Sequence, residues 1–192
     1  MEFKKFALRM KDIFSSDTSV ELREQILRYQ MSSMLSDVER AKLFGLPKNC
    51  RIREGAKIIS PENLLCGESV WIGENAILDA SGGLEIGAHT SIGLSVFIWS
   101  HTSHKVNRAF DNVRGSSKIK RTNTKIGNGC FIAGPSVILP GISVGDKAII
   151  GPLSVVDRDI EESEVFANGS RLNELEKEIS KLKVIVDKFN KK

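Results

Sequence analysis

The sequence predicts a mainly β protein in which short parallel strands stack as the coils of a β-helix, with helical segments at both ends. Three observations lead to this prediction. An aliphatic residue recurs at every sixth position through most of the chain, and a glycine or small residue directly follows it. Both ends of the chain lack this period and have the three- and four-residue spacing of helices instead.

The six-residue period is clearest in the second half of the chain. Its aliphatic positions there are Ile126, Ile132, Ile138, Val144, Ile150 and Val156. The same period upstream is formed by Ile52, Ile58, Cys66, Ile72, Leu78, Ile86, Ile92 and Ile98. The stretch Ser81-Gly82-Gly83 contains a two-residue insertion that resets the phase.

This period fits neither a helix nor a strand with two alternating faces. It fits a short strand followed by a turn, with Asn75, Gly129 and Gly145-Asp146 supplying backbone freedom at the turns. Three such units make one triangular coil of about 18 residues, and stacked coils bury a continuous aliphatic column. Cys66 and Cys130 are then expected to be small core residues and not nucleophiles.

We therefore divide the chain into a helical segment (1–46), a β-helix (47–169) with a loop at about 100–124, and a C-terminal helix (170–192). In the first segment, Ser19 and Asp37 are expected to cap two helices. Residues 1–14 form a basic amphipathic pattern, which is compatible with a membrane surface or with packing on the protein itself.

The C-terminal segment has the spacing of a heptad seam. Its apolar residues are Leu172, Leu175, Ile179, Leu182, Val186 and Phe189. Placing Leu172 at position a gives two flanking pairs of opposite charge, as a parallel coiled coil requires. Packing on the chain's own β-helix is the alternative interpretation.

Composition sets limits on the class of protein. No apolar run reaches the roughly 18 residues of a membrane span, and the N-terminus lacks the pattern of a signal peptide. Three widely spaced cysteines predict neither a disulfide framework nor a zinc site, which favours a reducing cytoplasm. A net charge of +4 is mild, so we expect no nucleic-acid partner, although anionic ligands fit.

The repeat is interrupted once, and the interruption carries candidate catalytic residues. After Ile98 and Trp99 the chain continues with Ser100, His101 and, three residues later, His104. A histidine can accept the proton of a hydroxyl as that oxygen attacks a thioester. If coils stack in register, Trp99 lies beside Asp79, whose carboxylate can orient a histidine or bind a sugar, or can simply stabilise a turn.

These residues resemble the hexapeptide-repeat acyltransferases, specifically their sugar and polysaccharide O-acetyltransferase branch, over about residues 52–169. The resemblance implies a left-handed β-helix, a homotrimer, acetyl-CoA as the donor, no metal, and a hydroxyl of a bacterial surface sugar or polysaccharide as the acceptor. It also favours His104 over His101 as the general base, because the base in this family lies further into the loop.

The resemblance further implies which residues bind each substrate. The donor would lie against Ala133, Gly134, Gly151 and Pro152, with Arg171 gripping its phosphates and Arg114, Lys118, Lys120 and Arg121 as weaker candidates. Asp79, Trp99 and Phe131 would contact the acceptor. Phe131 stands where the family commonly has tryptophan, and Ala167-Asn168-Gly169-Ser170 replaces the usual exit motif Gly-Asn-Pro-Ala.

Three other functions fit the same scaffold. N-acetylation, or acetylation of a small alcohol, needs only a different acceptor. A zinc enzyme of the carbonic anhydrase type would need His89, His101 and His104 to converge, and their spacing does not match that pattern. A scaffold protein without catalysis would bind through its two helical ends.

Overall fold

The computed structural model describes residues 33–110, 117–167, 178–183 and 186. Its centre is a parallel β-helix with three faces, each a sheet to which successive coils add one strand. The chain visits sheets A, B and C in turn, and the hydrogen-bonded neighbours in each sheet are therefore every third element of the solenoid.

Sheet A contains β1 (Arg51–Ile52), β4 (Trp71–Ile72), β7 (Ser91–Ile92), β12 (Phe131–Ile132), β15 (Ile149–Ile150) and β17 (Val165–Phe166). Sheet B contains β2 (Lys57–Ile59), β5 (Ile77–Asp79), β8 (Phe97–Ile98), β13 (Val137–Ile138) and β16 (Val155–Val156). Sheet C contains β3 (Leu64–Cys66), β6 (Leu84–Ile86), β11 (Thr124–Ile126) and β14 (Ser143–Val144). A 3-10 helix (Pro61–Asn63) precedes β3.

Stacking is in register, with each inward residue directly beside the inward residue of the next coil. Ile92 pairs with Ile132, which pairs with Ile150, and all three side chains are fully buried. The small residues four positions after the aliphatic ones complete this core, as Ala148 and Ser154 illustrate. The predicted period therefore corresponds to a continuous buried column.

The turns have a regular backbone conformation. The third residue after an inward aliphatic residue repeatedly has a positive φ, as at Asn75 (58°), His89 (59°), Gly129 (64°) and Lys147 (59°). The glycine directly after the aliphatic residue instead allows the close approach of the adjacent coil. At Gly127, a Cβ would lie 2.6 Å from the backbone nitrogen of Asp146 in the adjacent coil.

A short helix covers the first coil. Helix α1 (Asp37–Leu43) begins with a capping box in which Ser36 accepts from the backbone of Glu39, whose carboxylate accepts from the Ser36 backbone. The expectation that Asp37 is the cap was wrong by one residue, because only Ser36 has glutamate three positions later. Arg40 is buried and donates to the Ile52 carbonyl at 2.7 Å, joining α1 to β1.

Several predictions about the chain ends lie outside the described residues. These are the amphipathic pattern at 1–14, the helix expected after Ser19, and Leu172, Leu175 and Phe189 of the C-terminal heptad seam. Residues 178–183 and 186 are helical and exposed. Among the helices of the described residues, none is long and apolar enough to cross a membrane.

Two neighbouring isoleucines test the alternation of buried and exposed positions. The side chain of Ile150 is fully buried, whereas Ile149, directly before it, is 43% exposed. We expect Ile150→Ala to lower the free energy of unfolding by about 2–5 kcal/mol, and Ile149→Ala by less than about 1.5 kcal/mol. Urea unfolding of the two variants measures this difference, and equal losses would contradict the register.

Candidate active site

The interruption of the repeat and the two-residue insertion lie at the same corner of the β-helix. This corner leads from sheet B to sheet C, and here Ala80–Gly83 of one coil stacks on the segment after β8 in the next. Leu78 pairs with Ile98, as the sequence predicted, so Asp79 and Trp99 follow at equivalent positions. The corner therefore brings Asp79 beside the start of the loop.

Asp79 is the centre of a dense hydrogen-bond network. Its carboxylate is fully buried, and Oδ2 accepts from the backbone N–H of Ser100 (3.0 Å) and the Ser100 hydroxyl (3.2 Å). Oδ1 accepts from the backbone N–H of Ser81 at 3.0 Å. Oδ2 also lies 2.6 Å from Nδ1 of His101. A buried carboxylate with this many donors is fixed in position.

These donors also determine the charge of the carboxylate. Burial alone raises the pKa of Asp79, but hydrogen bonds from the Ser100 backbone, from Ser81 and from His101 outweigh burial. The net result is a pKa below the ordinary value for aspartate. Asp79 is therefore an anion at neutral pH and attracts the proton of the imidazole toward Nδ1.

The two loop histidines have different environments. His101 forms β9 (His101–Thr102) and is half-buried, with Nδ1 held by Asp79 and lying 2.9 Å from the Ser81 hydroxyl. His104 begins α2 (His104–Arg108), is exposed, and contacts the hydroxyl of Thr102 through Nδ1 at 2.9 Å. Only the first arrangement has a charged, buried partner that fixes the ring and its tautomer.

The loop is anchored back onto the β-helix. Strand β10 (Lys120–Arg121) pairs antiparallel with β9, which places Arg121 opposite His101. The Thr122 backbone donates to the Ser100 carbonyl at 2.8 Å, and Val106 of α2 is fully buried. The interruption, which the sequence could describe only as a polar loop, thus contains a strand pair and a short helix.

A glycine permits the close contact between the corner and the loop. A Cβ at Gly82 would collide with the Ser100 carbonyl oxygen and lie 2.8 Å from the Thr122 nitrogen. With no side chain there, the Gly82 N–H donates to the Ser100 hydroxyl at 2.8 Å. The inserted residues therefore anchor the chain at Ser100, directly before strand β9.

Aromatic side chains lead away from His101 along sheet B. The rings of Trp99 and His101 meet edge to face with centroids 6.3 Å apart, and those of Phe97 and Trp99 lie 6.5 Å apart. Phe97 also lines a depression of about 230 Å³ on sheet B, together with Pro135 and Leu153. Phe131, the third predicted acceptor contact, lies on sheet A and is not part of this row.

The predicted donor-binding residues lie together at another corner. Ala133 and Gly134 follow β12, and Gly151 and Pro152 follow β15 in the next coil, so all four line the corner from sheet A to sheet B. The Ala133 N–H donates to the Ile150 carbonyl at 2.8 Å. The depression on sheet B begins at this corner, since Pro135 lines it.

Charged candidates for phosphate binding are only partly described. Lys118, Lys120 and Arg121 are exposed, whereas Arg114 and Arg171 lie outside the described residues. An open groove of about 760 Å³ on sheet C is lined by none of the predicted site residues.

The histidines and cysteines outside the site occupy other positions. His89 is exposed at the corner from sheet C to sheet A, a different corner from that of His101. Within the described residues, no group of three or more His, Cys, Asp or Glu side chains is arranged to hold a metal ion. Cys130 is buried, and burial raises the pKa of the half-buried Cys66 to about 12.

Sequence reasoning missed the roles of Ser81 and Ser100. Ser100 is fully buried and bonds both to Asp79 and to the corner, and Ser81 contacts Asp79 and His101. The available signal was the register: Ser81 and Ser100 come three and two residues after the stacked inward pair Leu78 and Ile98, so both lie at the same corner. Their exact partners depend on the path of the loop, which has no period.

The lowered pKa of Asp79 predicts a pH-dependent contribution to stability. In an unfolded chain an aspartate titrates near pH 4, so the carboxylate stabilises the fold above that pH and loses this effect as pH falls through the lower folded value. We expect Asp79→Asn to be less stable than wild type by about 1–3 kcal/mol at pH 7, with the difference shrinking below about pH 4.

Thermal unfolding of both proteins between pH 7 and pH 3 measures this difference. Because the asparagine does not titrate in this range, the decrease in the stability difference must come from titration of Asp79 in the wild-type protein. A difference that stays constant to pH 3 would show that Asp79 does not have a lowered pKa.

Comparison with known proteins agrees with this geometry. The chain is 31% identical over 121 residues to the Escherichia coli (strain K12) protein assigned as the colanic acid biosynthesis acetyltransferase WcaF, covering 62% of this chain and 63% of WcaF. It thus spans less than two thirds of that relative's length. It is 28% identical over 152 residues to galactoside O-acetyltransferase of Escherichia coli (strain K12), covering 76% of this chain and 73% of the relative.

Structural similarity identifies the fold and its hand. A galactoside acetyltransferase solved in complex with coenzyme A superposes with a TM-score of 0.66 at 24% identity, covering 77% of this chain and 75% of that chain. No protein-family model matches the sequence. In its six-residue repeat, its fold and its sequence relatives, this chain is similar to hexapeptide-repeat acetyltransferases, and its fold is the left-handed parallel β-helix.

Proposed function

We propose that this protein transfers an acetyl group from acetyl-CoA to a hydroxyl of a sugar or polysaccharide, with His101 as the general base. The contact between the buried Asp79 carboxylate and Nδ1 of His101, at 2.6 Å, carries this proposal. The relatives support the reaction, since WcaF and galactoside O-acetyltransferase are both named as acetyltransferases.

The proton transfer follows from the tautomer. With its proton on Nδ1 and directed at Asp79, the neutral imidazole has its lone pair on Nε2. Nε2 takes the proton of the acceptor hydroxyl while that oxygen attacks the thioester carbonyl carbon. The carbon–sulfur bond then breaks, and the imidazolium returns the proton to the departing thiolate of coenzyme A. No covalent intermediate on the protein is needed.

This assignment departs from the expectation drawn from family resemblance, which favoured His104. Among the described residues, the hydrogen-bond partner of His104 is the neutral hydroxyl of Thr102, which offers no negative charge to stabilise an imidazolium. His101 has an anionic partner that stabilises the positive charge formed during the reaction. In this proposal His104 lies at the rim of the acceptor site.

Sheet B offers a path for the donor. We place the pantetheine arm along the corner formed by Ala133, Gly134, Gly151 and Pro152, where Pro152 is exposed and the other three residues are half-buried. Coenzyme A in the galactoside acetyltransferase complex supports a nucleotide donor for this fold. The row of Phe97, Trp99 and His101 then leads from that corner to the base.

A second copy of the chain is part of the proposal. The outward residues of sheet B include the apolar Ile77, Phe97, Val137 and Val155, the last of them 48% exposed. A homotrimer that covers part of this surface would exclude water from the donor and place Phe131 and the basic loop residues of one copy near the histidine of another.

The acceptor class rests on two relatives. WcaF is named for colanic acid biosynthesis and the other relative for galactosides, so we propose a polysaccharide unit as the first choice and a simple glycoside as the second. We also propose a cytoplasmic location, where acetyl-CoA and reduced thiols occur together, with residues 1–14 as a candidate contact to the inner membrane face.

Mass spectrometry tests the reaction and its acceptor. The full chain is incubated with acetyl-CoA and a panel of galactosides, maltose, amino sugars and bacterial polysaccharide fragments, and each product is examined for an added acetyl group. An acetyl ester on a sugar hydroxyl supports the proposal. Acetylation only at amino groups overturns the O-transfer assignment, and no transfer to any acceptor favours a scaffold without catalysis.

Substitution of each histidine tests the assignment of the base. We expect His101→Ala to lower kcat/KM by about 10²- to 10⁴-fold, and His104→Ala by less than about tenfold. Release of free coenzyme A thiol during steady-state turnover measures both. His89→Ala, exposed at another corner, is the matched control and should behave as wild type.

Thermal unfolding must show that all three variants remain folded. A larger loss for His104→Ala than for His101→Ala would restore the expectation drawn from family resemblance. Asp79→Asn should approach the loss of His101→Ala while leaving KM for acetyl-CoA unchanged, because it alters the base and not the donor site.

A further inference from the structure

The described part of the C-terminal helix has an apolar face that the β-helix does not cover. The side chains of Ile179, Leu182 and Val186 are 50%, 60% and 54% exposed. Packing of this seam on the chain's own β-helix would bury these positions. Within the described part of the tail, the apolar face is instead open to solvent, which is costly for three large aliphatic side chains on one side of a helix.

The spacing of the exposed residues identifies the geometry of the missing contact. With Leu172 at position a, Ile179 and Val186 also occupy a, and Leu182 occupies d. The full set of a and d positions in the sequence is Leu172, Leu175, Ile179, Leu182, Val186 and Phe189. Over residues 172–183 the apolar residues occupy a and d alone, whereas Val184 and Ile185 add apolar residues at f and g beyond them. A seam of a and d alone is narrower than the apolar face of a helix that packs on a globular core, and it matches an identical helix.

Charge on the flanks supports a parallel arrangement. In a parallel coiled coil, position g of one helix faces position e of the next heptad on its neighbour. These pairs would be Arg171 with Glu176, and Glu178 with Lys183. Both are opposite in charge, and the second pair lies in the described helix with both side chains exposed.

From these observations we infer that the C-terminal seam binds the same seam of other copies of this chain, in parallel and in register. The inference does not rest on acetyl transfer. Fewer than three heptads form a marginal coiled coil in isolation, so the β-helix body must hold the tails close together. β-Branched residues at a with leucine at d favour two strands in isolation, and the symmetry of the body then decides how many tails join.

Cysteine cross-linking tests this contact in the full chain. Val186→Cys places a thiol at position a near one end of the seam, where parallel partners bring two cysteines within disulfide distance and antiparallel partners do not. Lys181→Cys, at the outward position c, is the matched control. With a mild oxidant we expect at least about fivefold more cross-linked dimer for Val186→Cys than for Lys181→Cys.

Three results would overturn the inference: equal cross-linking at both positions, no cross-linking at either, or cross-linking of Val186→Cys only with Leu175→Cys chains. The wild-type chain, with Cys50 and Cys130 buried and Cys66 half-buried, sets the background.

A second variant separates a seam contact from simple proximity of the tails. Adding Ile179→Asp and Leu182→Asp to Val186→Cys should reduce the cross-link to the level of the Lys181→Cys control, because charges at a and d oppose association. Both residues are exposed in the single chain, so the β-helix should unfold at the same temperature as wild type. A cross-link that survives the two aspartates contradicts the inference.

The same variant separates this inference from the proposed enzyme activity. If acetyl transfer persists when the cross-link is lost, the seam joins copies of the chain but is not needed for catalysis. If the cross-link forms as expected but no acceptor is acetylated, the seam stands and the proposed function fails.

Discussion

In-register stacking of the coils is the constraint on which the rest of this molecule depends. Each inward aliphatic residue lies directly beside its equivalent one coil away, as in the series Ile92, Ile132 and Ile150. Because the register is fixed, every residue near a corner has a defined neighbour in the next coil. The coil can therefore place two polar groups from distant parts of the sequence side by side without any loop that spans the distance.

The geometry of the candidate active site follows directly from this register. Asp79 follows the inward Leu78, and Ser100 and His101 come shortly after the equivalent Ile98. The carboxylate is fully buried, which by itself would favour its protonated form. Hydrogen bonds from Ser81, Ser100 and His101 reverse that preference. The buried anion is thus tolerated because the rigid corners supply its donors, and it in turn fixes the histidine.

The periodicity of the sequence predicted the fold well, because the fold is built from a local pattern that repeats in every coil. The positions of the core, the register of Leu78 with Ile98, and the interruption after Trp99 all followed from counting residues. The proposal that His101, and not His104, is the base could not follow from counting. That choice depends on where the chain leaves the coil, on the pairing of β9 with β10, and on Gly82 allowing the loop to approach its corner. The cap at Ser36 was also missed, although its glutamate partner was visible in the sequence.

The corner that carries His101 and the proposed donor corner lie at opposite ends of the strands of sheet B, and this separation has a consequence for assembly. Within the described part of one chain, the features between them are a depression of about 230 Å³ and a row of aromatic rings. A thioester lying there would remain in contact with water unless another surface covers it. The same chain has a second uncovered apolar surface, the seam of Ile179, Leu182 and Val186. Association of copies would cover both, and joining the tails would raise the local concentration of the bodies, so that a weak contact at sheet B would suffice to close the site.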